Sequence, residues 1–177
     1  MRILILLITL SLSSANLSAQ KSVNKLIDKI KKHPKSVTMT LPGWLISKAV
    51  DLASHSTDIE EDEQIWMEMA KDIKKIRFSV VDESNNAFQI QELDEYIEKA
   101  KHKDGFEVYA KVKNEGNRVN IMLRTKEDVV KNILIYAFSD ESVAAVHLKT
   151  DIALSEFRNA KFSFNKNKET EVELIEN

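Results

Sequence analysis

Between Phe106 and Leu154 the chain alternates apolar and polar residues in four short runs separated by polar turns. That period of two specifies four consecutive antiparallel strands. Phe106–Lys113 and Arg118–Arg124 flank the turn Asn114-Glu-Gly-Asn117 and alternate in matching phase. Pairing Lys113 with Arg118 sets Val112 against Val119, Ala110 against Ile121 and Val108 against Leu123 on one side. Glu107 then falls opposite Arg124, and Tyr109 opposite Met122, on the other side. Asn132–Phe138 and Val143–Lys149 form a second hairpin across Ser139-Asp-Glu-Ser142. With Phe138 opposite Val143, one face carries Leu134, Tyr136, Phe138, Val143, Ala145 and His147. The other carries Ile133, Ile135, Ala137, Ala144, Val146 and Leu148. An antiparallel sheet normally leaves one side polar. Both sides of this hairpin are apolar, so something must cover the second.

The upstream chain supplies candidates for that cover. Lys21–Lys32 spaces Val23, Leu26, Ile27 and Ile30 at helical intervals with lysines opposite, and His33-Pro34 ends it. Ser36–Leu41 alternates as a strand closed by Pro42-Gly43. Trp44–Ser54 has a broad apolar helical face, and Glu60–Lys71 makes a helix anchored by Ile65, Trp66 and Met69. Lys75–Val81 is a strand with Ile76, Phe78 and Val80 on one side. Ser84–Lys101 carries a stripe of Ala87, Ile90, Leu93, Ile97 and Ala100, and Gly105 marks its end. Asp151–Phe157 has room for one helical turn. Strands not regularly alternating with helices give an α+β class. The expected architecture is a mainly antiparallel sheet with a C-terminal four-strand meander and helices packed on one face. Residues 20–164 form a single domain, and 165–177 read as a polar, solvated tail.

The first nineteen residues have another purpose. Met1-Arg2, the apolar run Ile3–Leu12 and the small-residue stretch Ser13–Ala19 have the layout of a secretory signal peptide. Cleavage after Ala19 starts the mature chain at Gln20. The apolar run is too short for a bilayer span of ~20 residues, so no transmembrane anchor remains after cleavage. The expected location is outside the cytoplasm, periplasmic or secreted. The chain has no cysteine, which excludes disulfides, thiolate metal sites, cysteine nucleophiles and a lipid-modified cysteine. Losing Arg2 leaves 25 basic against 28 acidic residues, a net charge of −3 that draws in no nucleic acid.

No motif specifies a chemistry. His33, His55, His102 and His147 are scattered without partners at ligand spacing, although His147 sits on a strand among apolar neighbours. The acidic run Asp58–Glu63 lacks the glycine and alternating oxygen ligands of a calcium loop and reads as a helix N-terminus. With three glycines in the chain, no phosphate-binding loop can be drawn. No cofactor or metal is expected. By the register above, Tyr109, Lys111, Lys113, Arg118, Asn120, Met122 and Arg124 face outward on the first hairpin. The contact residues expected from strand parity are Tyr109, Met122, Arg124, Tyr136 and Phe138. They would form an aromatic and apolar patch rimmed by Lys and Arg, offered to an envelope protein or an amphiphilic ligand. The competing expectation is that Lys21–Lys32 or the C-terminal segment covers the patch. The function expected is a non-enzymatic binding or interaction module, a monomer or weak dimer. The alternatives are a hydrolase with scattered acid–base carboxylates and a purely structural envelope component.

Several of these features together resemble a bacterial family of exported proteins, domain of unknown function 4252, found chiefly in Bacteroidota. They are the leader, the Val37–Leu41 strand running into the Trp44–Ala53 helix, and the Lys75–Val81 strand. To these is added the ending Ile133-Leu-Ile-Tyr-Ala-Phe138 and Val146-His-Leu-Lys-Thr-Asp-Ile-Ala-Leu154. The resemblance covers nearly all of the mature chain and implies a cell-envelope module. It carries over no functional residues.

Overall fold

The computed structural model of the protein describes residues 21–55, 61–82, 90–114, 117–139, 141–160 and 171–174. The expected leader, residues 58–60 of the acidic run, residues 84–89 of the longest expected helix, and 161–170 and 175–177 near the C-terminus lie outside them. Five helices and seven strands follow in the order α1 (Lys21–Lys31), β1 (Ser36–Pro42), α2 (Gly43–Ala53), α3 (Glu61–Lys71), β2 (Ile73–Asp82), α4 (Ile90–Asp104), β3 (Glu107–Asn114), β4 (Asn117–Lys126), β5 (Val129–Phe138), β6 (Ser142–Ala153), α5 (Leu154–Asn159) and β7 (Glu171–Leu174).

The strands form one sheet in the order β1-β2-β6-β5-β4-β3-β7, with each neighbouring pair antiparallel. The α+β class and the β3–β6 meander expected from the sequence are borne out. Alternating strand directions make β2 and β3 parallel to each other with β6, β5 and β4 between them. The chain must therefore cross a face of the sheet to connect them, and α4 lies in that crossover.

On that first face, α1 presents Val23, Leu26, Ile27 and Ile30 at intervals of three and four residues, each no more than 1% exposed. Beside them α4 presents Leu93, Ile97 and Ala100. These side chains pack with Val81, Phe106, Met122, Leu134, Tyr136, Phe138, Val143 and Ala145 in one cluster. Lys29 of α1 pairs with Glu92 in the first turn of α4. Arg77 Nη1 of β2 donates to Asn24 Oδ1 at 2.9 Å, which pins α1 to the sheet from the other side. A second cluster on the opposite face joins Met69 of α3 and Phe157 of α5 to Ala110, Ile121, Leu123, Ile133 and Ile152.

The hairpin registers agree at Lys113–Arg118, Val112–Val119, Ala110–Ile121 and Phe138–Val143. They depart beyond Ala110, where a bulge lies between Val108 and Ala110. Val108 pairs with Met122 and Glu107 with Leu123, so the expected Val108–Leu123, Tyr109–Met122 and Glu107–Arg124 pairings are corrected. The extra residue sends Tyr109 to the second face, where its ring meets Phe157 edge-on at 5.2 Å between centroids. A gain of this kind depends on a residue distant in sequence, so alternation alone does not reveal it. β6 also runs on to Ala153, and the helical turn begins only at Leu154. Within the stretch read as a solvated tail, Glu171–Leu174 pairs with β3.

Gly43 joins β1 directly to α2, and the backbone of β2 crosses close beneath it. A Cβ at this position would stand 2.6 Å from the Ile73 carbonyl oxygen and 2.8 Å from that of Lys74. Backbone cannot swing aside as a side chain can. Gly43→Ala is therefore expected to destabilise the protein by about 1–3 kcal/mol in urea unfolding. An unchanged midpoint would contradict this close approach.

Candidate functional site

The five residues proposed for contact are not gathered on an open surface. Met122, Tyr136 and Phe138 are 0%, 3% and 8% exposed and lie in the cluster under α1 and α4. The face expected to point outward is thus the covered one, and α1 provides the intramolecular cover that was the competing expectation. Both faces of the β5–β6 hairpin are apolar, so strand parity could not choose between them. Tyr109 sits on the opposite face through its bulge. Arg124 is half-buried, in register with Asn132.

Between α4 and strands β3, β4 and β5 lies a groove of about 500 Å3. One wall is the helical stripe Asp94, Ile97, Glu98 and Lys101, and the floor includes Tyr136 and Phe138. Lys111, Asn120 and Tyr136 stand in one cross-strand row, with Lys113, Arg118 and Phe138 in the next. Burial first, and then the carboxylate of Asp94, raises the Tyr136 hydroxyl above its ordinary range against the opposing pull of Arg118, so it stays protonated. The hydrogen bond that Glu98 accepts from Lys101 at 2.9 Å holds its pKa below the usual carboxylate value. This groove thus carries the carboxylates of Asp94 and Glu98 beside Lys101, Lys111, Lys113 and Arg118, and its aromatic floor exposes little area.

His147, the histidine singled out in the sequence, is 2% exposed. Its Nε2 lies 3.1 Å from Asn132 Oδ1. Burial, then the charges of Arg77, Lys149 and Lys75, lower its pKa to about 4. The neutral ring donates to the amide oxygen, and this amide partner neither accepts nor supplies a proton for catalysis. Among the described residues, no group of three or more His, Cys, Asp or Glu side chains could hold a metal ion.

The open apolar surface is on the second face. The row Val37–Val80–Ala144–Ala137–Val119–Val112 crosses six strands without a polar residue, and none of its members is fully buried. The next row begins Met39–Phe78–Val146–Ile135 and is buried only from Ile121 onward. Every exposed large hydrophobic among the described residues belongs to β1, α2 or α3: Val37 61%, Met39 50%, Trp44 63%, Leu45 41%, Leu52 78%, Ile65 38% and Trp66 37%. β1 is a terminal strand, and Ser36–Pro42 contains no charge. Natural edge strands are usually blunted by charges or bulges. Sequence reading missed this surface, although two signals were present: the uncharged strand, and the apolar face of α2, too broad for one buried stripe.

Residues 31–160 match the model of the family described as Domain of unknown function (DUF4252), and the chain belongs to that family. No curated protein matches the chain, and no solved structure does. Among the described residues, no helix is long and apolar enough to cross a membrane.

His147 gives a signed pH dependence. Its folded pKa of about 4 is below the unfolded value of 6.5, so its stabilising contribution is complete above pH 6.5 and is lost as pH falls towards 4. The full loss is roughly 3 kcal/mol. Urea unfolding at pH 7.5 and 4.5 is expected to show His147→Gln losing less stability over this interval than the wild type. Equal losses would contradict a buried neutral histidine.

Proposed function

We propose that this family member is an exported, non-enzymatic cell-envelope protein that works by protein contact. It seats an uncharged, extended segment of a partner against β1, the terminal strand among the described residues, and the adjoining second sheet face. The concentration of exposed apolar side chains on β1, α2 and α3 carries this reading. An uncharged strand edge beside an apolar sheet row accepts another uncharged strand through backbone hydrogen bonds and alternate side-chain contacts. A charged partner segment would lose its hydration on the same row without gaining a counter-charge. Export rests on the arrangement of Met1–Ala19, and the module reading rests on the exposed apolar side chains of β1, α2 and α3.

The test places a photo-crosslinking residue at Met39, and separately at Lys111 in the groove, in cells making the full chain. The proposal expects a dominant adduct at position 39 whose mapped peptide is an uncharged strand, from an envelope protein or a second copy of this chain. Met39→Lys, placing a charge in the apolar contact, is expected to weaken the interaction at least about tenfold. Adducts at 39 confined to the same chain, or a partner captured only at 111, would overturn the β1 surface.

A further inference from the structure

α1 begins Lys21-Ser22-Val23 and has no acidic residue in its first turn to satisfy its leading amides. The chain solves this from a distance. Asp104, the last residue of α4, accepts hydrogen bonds through Oδ2 from the backbone N–H of Ser22 at 2.8 Å and of Val23 at 3.3 Å. Gly105, at φ +70°, turns the chain immediately after it, and Phe106 N–H donates back to the Ala100 carbonyl at 3.1 Å. Asp104 is therefore held on both sides, and it is only 3% exposed. Its other oxygen, Oδ1, is the one buried side-chain oxygen or nitrogen among the described residues that lacks a hydrogen-bond partner.

An unsatisfied oxygen on a buried carboxylate is costly, and two amide donors do not cancel its charge. The site calls for a cationic donor at the start of α1. In a chain cleaved after Ala19, the α-nitrogen of Gln20 stands two residues before the amide of Ser22. Covalent geometry then confines it to within roughly 7 Å of that amide. We infer that the α-ammonium freed at Gln20 by leader removal docks on Asp104 Oδ1. This inference rests on the export reading.

Before cleavage that nitrogen is a neutral peptide N–H. Afterwards it carries a charge at the positive end of the α1 dipole, where it would be destabilising without an anion beside it. Asp104 supplies the anion and gains a charge-assisted partner. Cleavage would thereby tighten the contact between α1 and α4.

The experiment compares three chains: Gln20–Asn177 with a free α-amine, the same chain N-acetylated, and the same chain extended by Leu17-Ser18-Ala19. Each is made with Asp104 and with Asp104→Asn, which keeps an acceptor for the helix amides. All contain every described residue. Acetylation or extension is expected to lower Tm by about 3–6 °C in the Asp104 chains and by less than about 1 °C in the Asp104→Asn chains. If Asp104 merely caps α1, Asp104→Asn lowers Tm equally whatever stands at the N-terminus, and that result overturns the docking. The intact mass of the exported protein identifies its first residue. A Gln20 terminus without coupling refutes docking alone, whereas an uncleaved leader refutes the export reading and docking with it.

Discussion

A sheet that is apolar on both faces must be covered twice, and the structure follows from meeting that requirement unequally. On the first face, α1 and α4 bury Leu134, Tyr136 and Phe138 of β5 together with Val143 and Ala145 of β6. On the second, Phe157 of α5 and Met69 of α3 seal one end. The rows led by Val37 and Met39 stay partly open. Free energy explains the first arrangement, because each fully buried aliphatic or aromatic side chain contributes about 1.5–3 kcal/mol. On the second face that burial is incomplete, with Val37 and Met39 left exposed.

The cover on the first face depends on α1, which is short. An isolated helix of this length is marginal in water, so packing and end contacts must hold it in place. Among the described residues, polar ties that bind it to its neighbours in the layer include Asp104 to its leading amides, Glu92 to Lys29, and Arg77 to Asn24. These partners come from α4 and β2, elements that pack against α1. The family match begins only at residue 31, so most of this helix precedes the matched range. A segment outside that range therefore supplies four of the core's most deeply buried side chains.

Much of the fold was legible because its periodicities are local. The stripe Val23, Leu26, Ile27 and Ile30 identifies α1, and the alternation between Phe106 and Leu154 identifies the meander with its turn registers. What was not legible depends on contacts between distant residues. Tyr109 changes face through a bulge, and the ring it meets, Phe157, lies beyond three further strands in α5. Glu171–Leu174 joins β3 although its surrounding composition reads as solvated. The candidate surface was misplaced for a related reason. Tyr136 and Ile135 are equally convincing as core residues, and only the docking of α1 decides which is sealed. Met39 and Trp44 appear ordinary in sequence because apolar alternation and helical stripes usually signify burial. Their exposure emerges only when the layers are assembled.

Removing α1 tests this account most directly. The chain Gln20–Asn177 is compared with one lacking residues 20–32 by urea unfolding and by binding of a hydrophobic dye. Dependence of the first face on α1 predicts loss of the cooperative transition and strong dye binding in the shortened chain, as Tyr136, Phe138 and Met122 become accessible. A shortened chain that unfolds cooperatively with little change in midpoint, and binds no more dye than its parent, would contradict it.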